Sequence, residues 1–404
     1  MSPSPLPVVV VLAFALAASA AAQRPVTRAD AITAAVATGP RLAVARADTA
    51  AAFAQLVTAR LIPDPLLAAG YSKDPPQYHA AVDIPLDLPW LRQPRIAAAD
   101  AMRLSAQHRF AFARAAAALD ADTTYTRALA AREHARLSRR NARDADSLRR
   151  MAIARREAGD ASDLEVELAT VSAGQQANIA DADSLSYLST LLDLQSTMGI
   201  SSNDVAIAPT DSLVPPIAVD GDGDAPPVTL EVAAAEQAVS AAGHSVRLQR
   251  RTVWGAPGLI VGFDAHEPGV SNAILPQFGI TLPLPLFGRN RGAIAQAESE
   301  LARARAELAL ALVEGETRIA RARRERDIAM SKVRRDQLLV ASAGRVAAMA
   351  LTAYREGESS LPNVLEAQRN ARDVFGQYID DVAQAHIATA ALRVYTLAAA
   401  GAVR

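Results

Sequence analysis

The sequence predicts a mainly α-helical chain with a small β part. Long antiparallel coiled-coil helices, forming an α-barrel, join four strands per chain that contribute to a shared trimeric barrel of about twelve strands. Three observations carry this reading. Residues 95–158 contain neither glycine nor proline, and residues 292–356 contain no proline. Two shorter segments, 61–90 and 255–287, are instead rich in proline, glycine and β-forming residues. The whole arrangement then occurs twice, with a shift of 196 to 198 residues.

The breaker-free stretches are too long for an ordinary globular helix. A helix of ~60 residues reaches ~90 Å, whereas helices in compact domains average about 11 residues. Second helical stretches follow each, at 162–198 and 363–400. Ile294, Leu301 and Leu308 recur every seventh residue, with Ala297, Ala304 and Ala311 three places after each. That is a coiled-coil seam with alanine on one side, flanked by Arg and Glu. The next heptad carries Gly315 and Arg318, so the seam is expected to shift or weaken there. A lone coiled-coil rod would show the same seam.

Each interrupting segment reads as two short extended stretches around a turn, at 73–77 and 266–272. Leu259, Val261 and Phe263 alternate with Gly262 and Asp264, as in a strand with one apolar and one wet face. Leu88-Pro89-Trp90-Leu91 and its helix match Leu284-Pro285-Leu286-Phe287 and its helix. Gly159-Asp160-Ala161-Ser162 matches Gly357-Glu358-Ser359-Ser360. Two structural repeats are therefore expected at 23–199 and 229–404, joined by a linker at 200–228 rich in Pro, Asp and Gly. Each repeat reads as helix, strand pair, long helix, glycine turn and returning helix.

Composition narrows the function. With 42 basic and 43 acidic side chains in 404 residues, the chain has no electrostatic footprint for nucleic acid. It has no cysteine, hence no disulfide, thiolate metal site, cysteine nucleophile or lipid-anchoring cysteine. Leu6 to Ala18 is an apolar run followed by small residues, read as a signal peptide at 1–22 cleaved after Ala20 or Ala22. No Lys or Arg precedes it, and the alternative is an N-terminal membrane anchor. The mature chain has no other apolar run long enough for a transmembrane helix, so any membrane crossing falls to strands. The histidines at 79, 108, 134, 244, 266 and 386 show no helical pairing, so no metal site is expected. Asp220, Asp222 and Asp224 resemble a calcium loop, but Ala225 stands where its glycine belongs, and a solvated linker is the better reading. No phosphate-binding loop and no nucleophile elbow appear; no catalytic residue and no cofactor are expected.

Four strands cannot close a barrel, which needs about eight, and an open edge in lipid leaves backbone groups unsatisfied. Three copies would supply twelve strands, and the same symmetry would close a helical tunnel beneath them. Low aromatic content, 4%, is the main evidence against this, since Tyr71, Tyr78, Trp90, Phe263, Phe278 and Phe287 would have to form thin interfacial girdles. The competing picture is a periplasmic coiled-coil adaptor or structural protein without a membrane barrel.

The passage 281–297 (TLPLPLFGRNRGAIAQA) resembles the strand-to-helix segment of the TolC family of outer-membrane efflux proteins, closest in form to its CzcC/CusC-like heavy-metal branch. Residues 354–368 (YREGESSLPNVLEAQ) resemble that family's helix-turn-helix, Y-x-x-G-x-x-S-x-x-x-V-L-x-A. The resemblance implies a homotrimer with a barrel in outer-membrane lipid and most of the chain in the periplasm. It also implies a periplasmic adaptor and an inner-membrane RND-type pump as partners, and metal cations or small toxic compounds as cargo. Carried over, Tyr354, Gly357 and Glu366 fall at the periplasmic tip, with Gly159 as the repeat partner of Gly357. A basic residue used by some members after the glycine is Ser359 here. Asp160, Glu358, Ser162 and Ser360 are expected to cap the returning helices, and Pro362 to start the second one. Pro85, Pro89, Pro283 and Pro285 mark the barrel-to-tunnel junctions, because proline suits neither a sheet ladder nor a helix interior.

Overall fold

The computed structural model describes residues 23–74, 76–201, 205, 207–216, 228–265 and 274–398. The expected signal peptide, the turn at 266–272 and the acidic run at 220–224 lie outside the described residues. In chain order the elements are β1 (Arg24–Val26), α1 (Arg28–Thr38), α2 (Pro40–Arg60), β2 (Leu66–Tyr71), β3 (Tyr78–Pro85), α3 (Pro89–Glu157) and α4 (Asp163–Thr197). There follow β4 (Ile207–Pro209), α5 (Leu230–Arg251), β5 (Gly258–Ala265), β6 (Ile274–Thr281), α6 (Arg291–Arg355) and α7 (Leu361–Tyr395). The order helix, strand pair, long helix, glycine turn, returning helix thus occurs twice.

At 69 and 65 residues, α3 and α6 are each about 100 Å long. Near the sheet, α2, α3, α5 and α6 lie side by side; farther away, α4 and α7 replace α2 and α5, in the order α4-α3-α7-α6. Strands β2, β3, β5 and β6 form one antiparallel sheet in that order. Among the described residues no helix is long and apolar enough to cross a membrane.

The heptad seam behaves as the sequence suggests. Ala297 is buried and Ile294, Leu301, Ala304, Leu308 and Ala311 are half-buried against α5. At Gly315 and Arg318 the partner changes. Arg318 reaches Glu231 of α5 at 2.6 Å and stacks over the Tyr395 ring of α7 at 5.5 Å. Beyond it, Ile319 and Ala322 pack on Leu392 and Tyr395. A four-residue step in the seam rotates the apolar stripe from one neighbour to the next.

Three features were not visible in the sequence. The first helical stretch is broken at Gly39, where a Cβ would lie 2.2 Å from the Ala35 carbonyl oxygen. Helix α3 begins at Pro89, six residues before the expected start, and runs through Pro94. Pro94 cannot donate to the Trp90 carbonyl, and Arg251 of α5 does so instead, at 3.1 Å. Finally, the segment expected as linker carries β4, which pairs in parallel with β1.

That small pairing anchors the waist. Val26, Ala31, Tyr125, Leu129, Leu191, Leu194 and Ile207 bury together. The Tyr125 hydroxyl donates to the Val26 carbonyl at 3.0 Å and accepts from the Asp211 amide at 3.3 Å. Arg28 pairs with Asp122, and His386 of α7 hydrogen-bonds the Val214 carbonyl at 2.6 Å. Tyr125→Phe removes one donor from the Val26 carbonyl, which keeps the Thr210 amide, and leaves the Asp211 amide just after β4 without its hydroxyl acceptor. We expect it to lower unfolding free energy by about 1–2 kcal/mol, measured by denaturant titration.

Candidate functional site

Two regions collect the expected site residues: the sheet with its helix junctions, and the glycine turns at the far end. In the sheet, strand register decides what each face can touch. Tyr71, Tyr78, Ala265 and Ile274 stand in one cross-strand row; Ala69, Ala80, Phe263 and Pro276 in the next; Leu67, Val82, Val261 and Phe278 in a third. Ile84, Leu259 and Ile280 continue the same face. Apart from the hydroxyls of Tyr71 and Tyr78 at the turn end, every member is apolar. Phe278 and Ile280 are 76% and 77% exposed, so nothing among the described residues covers them.

The opposite face carries all the charge. His79 bonds Asp264 at 2.8 Å, and Thr281 donates to Asp83 at 3.4 Å. The same rows hold Gln277 and three glycines, Gly70, Gly262 and Gly279, together with the apolar Leu66, Ala68, Ala81, Ile260 and Leu275. Strands of eight residues span about 27 Å, close to the ~25 Å apolar band of an outer-membrane barrel before tilt is allowed for. Aromatic rings mark both ends. Tyr71 and Tyr78 pair at 5.5 Å beside the hairpin turn, while Trp90 and Phe287, the latter 98% exposed, sit at the helix end.

The junction prolines stand where strands hand over to helices. Pro85 ends β3, Pro89 opens α3, and Pro283 and Pro285 lie in the link from β6 to α6. Both links fold alike, with the Leu88 amide donating to Leu86 and the Leu286 amide to Leu284. Pro283 packs over Gly255, where a Cβ would come within 2.6 Å of the ring.

At the other end, Gly159 and Gly357 adopt φ of 87° and 82°. Each ends its long helix in the same way. The amides of Gly159 and Asp160 return to the carbonyls of Arg156 and Arg155, and those of Gly357 and Glu358 to Tyr354 and Ala353. The expected caps divide. Ser162 accepts from the Glu165 amide at 3.3 Å and caps α4. Ser360 occupies the same position before α7 without a side-chain bond, and Pro362 follows in the first turn. The carboxylates of Asp160 and Glu358 cap nothing; they are exposed, and only their backbone amides take part. Their place one residue after the glycine points the side chains outward.

Tyr354 is buried, with Leu361 and Val364, against Leu148, Ala152 and Ala169 of the other hairpin. Its hydroxyl donates to Glu165 at 3.4 Å. Burial and the Glu165 charge hold the phenol above its ordinary pKa, so it stays protonated. Arg155 stacks on the ring at 4.7 Å and donates to the Tyr354 carbonyl at 2.8 Å. Thus α3, α4 and α6 interlock at the tip. Arg155 and Glu165 were missed in the sequence, because at the 198-residue shift Tyr354 faces Arg156 in the first repeat and Arg156 pairs with Asp163 instead. Glu366 stands exposed in the second turn of α7, apart from this cluster.

The fold recurs in known structures. A membrane protein from Pseudomonas aeruginosa matches with a TM-score of 0.80 at 20% identity, covering 92% of this chain and 93% of that one. The CmeC outer membrane channel of Campylobacter jejuni gives 0.77 at 15%, covering 91% and 85%. CusC, described with transmembrane channel formation, gives 0.76 at 15%, covering 91% of both chains. The near-equal scores of CmeC and CusC do not separate a heavy-metal branch. No family profile and no curated relative matches the sequence.

The tip geometry is testable by itself. Valine at position 159 or 357 must adopt a left-handed conformation costing about 1–2 kcal/mol. Amide exchange should quicken within the last turns of α3 or α6, with the sheet unaffected, in hydrogen–deuterium exchange.

Proposed function

We propose that this chain is one subunit of a trimeric outer-membrane channel, the passive exit duct of a tripartite efflux system. The observation that carries the reading is an open-edged sheet with one apolar face, set at the head of a wall of helices about 100 Å long. Three copies pool their strands into a barrel in the outer membrane, and their long helices continue it as a tunnel across the periplasm. The fold shared with outer-membrane channels supports this. The charged face of the sheet, with His79, Asp83 and Asp264, then lines water.

In this reading the tips at Gly159 and Gly357 meet a periplasmic adaptor coupled to an inner-membrane RND-type pump. Asp160, Ser162, Tyr354, Glu358, Ser360 and Glu366 belong to the same end of the duct. The cargo is metal cations or small toxic compounds, selected by the pump. The TolC family resemblance of the strand-to-helix and glycine-turn motifs supports these assignments.

Two experiments test the proposal. Phe278→Arg places a charge on the lipid face, at a cost of about 2–4 kcal/mol near mid-membrane. Gln277→Arg, its neighbour on the wet face, should be tolerated. Membrane fractionation should find the first variant depleted from the outer membrane and the second retained; equal retention of both would overturn the barrel. Separately, bulky residues at both Gly159 and Gly357 should abolish efflux while leaving heat-resistant trimers intact. Undiminished transport in that double variant would remove the tip from the mechanism.

A further inference from the structure

Between the two helical hairpins, above the glycine turns, α3, α6 and α7 border an open-sided cavity of about 460 Å³. That is within the ~300–1,000 Å³ range of small-molecule pockets. Its apolar wall is built from Leu148, Met151, Leu351 and Phe375. Three guanidinium groups border it: Arg140 from α3, Arg355 from α6 and Arg372 from α7. Among the described lining residues the one carboxylate is Asp144, which is exposed and pairs with none of them.

Some arginines on these helices are tied to a neighbour: Arg149 to Asp146, Arg156 to Asp163, Arg318 to Glu231. Arg140, Arg355 and Arg372 have no hydrogen bond or ion pair among the described residues. Arg372 is also half-buried, and withdrawal from water pushes its guanidinium below the ordinary pKa. The neighbouring Asp373 carboxylate offsets part of that cost through space but accepts no hydrogen bond from it, so the guanidinium donors are left for another partner. The walls described come from helices of a single chain.

We propose that this cavity binds an amphiphilic organic anion, a carboxylate or sulfonate on a compact apolar body. The anionic head accepts paired hydrogen bonds from Arg372, a geometry that a planar guanidinium offers and an ammonium does not. Arg140 and Arg355 add charge at the rim. The apolar body covers Leu148, Met151, Leu351 and Phe375. Because α3 belongs to one hairpin and α6 and α7 to the other, the ligand bridges the two. The inference is independent of the efflux reading.

The test is isothermal titration of the full chain in lipid nanodiscs with 2-naphthoate, using neutral 2-naphthol as the control. We expect saturable binding of the carboxylate, one per chain, and no saturable binding of the alcohol. Arg372→Gln should weaken the affinity about tenfold or more, with Arg372→Lys intermediate. Gly344→Leu keeps every charge but fills the cavity, since a Cβ at Gly344 already points to Phe375 at 3.8 Å, and it should abolish binding. Helical content by circular dichroism identifies folded variants. Equal binding of naphthol and naphthoate, absence of naphthoate binding to the native chain, or native affinity in either Arg372→Gln or Gly344→Leu would each overturn the proposal.

Discussion

Among the described residues, strands β2 and β6 each leave one hydrogen-bonding edge free, and the sheet they bound leaves a face of bulky apolar side chains uncovered. Water satisfies the edges but not the face; hydrocarbon satisfies the face but not the edges. Closure by further copies inside a membrane would satisfy both. The helices follow from the same constraint. Each strand is continuous with a helix, α2 into β2, β3 into α3, α5 into β5 and β6 into α6. The sheet order and the helix order are therefore one order. Any set of copies that closes the sheet also closes the helical wall beneath it.

A wall of long helices needs seams that admit close approach and can change partner. Alanine supplies the first: Ala121, Ala128, Ala135, Ala145 and Ala152 are buried along α3. The second is met at Arg318, where α6 leaves α5 and joins α7. A glycine and a long cation occupy the place where neither stripe can continue. The cation uses its full reach, to a carboxylate on the helix being left and a ring on the helix being met. A heptad break that looks like weakness in the sequence is thus the point of exchange.

Long-period features were legible in the sequence: helix lengths, the two strand pairs, the repeat and the glycine turns. Each depends on many residues or on one residue type with a strict backbone role. What was not legible depends on partners distant in the chain. Pro94 sits inside α3 because Arg251, far along the sequence, takes the carbonyl it leaves free. Three residues of β4 are too few to show a strand period, and they persist because Arg132 holds the Pro209 carbonyl while Tyr125 holds Val26 of the paired strand and the Asp211 amide just beyond β4. At the tip, Gly159, Gly357 and Tyr354 were readable as turn and motif residues. Arg155 and Glu165 were not, since the repeat holds no equivalent of their contact. The cap role expected of Asp160 and Glu358 failed for a local reason: the left-handed glycine turns the next side chain away from the returning helix.

The contact between the hairpins varies with depth, and side-chain size explains how. High on the wall, Gly376 of α7 lets α3 approach, and His134 bonds Asp380 at 2.8 Å across the junction. At the tip, Tyr354 fills the junction and is clamped by Arg155 and Glu165. Between these levels Arg372 and Phe375 are too large for close helix contact, and neither fills the space it creates. A phenylalanine alone would leave an apolar gap that neighbouring side chains could collapse into. The unpaired guanidinium opposes that collapse, because burying it further raises its desolvation cost. The two hairpins are therefore fastened above and below a section that the chain's own residues hold open.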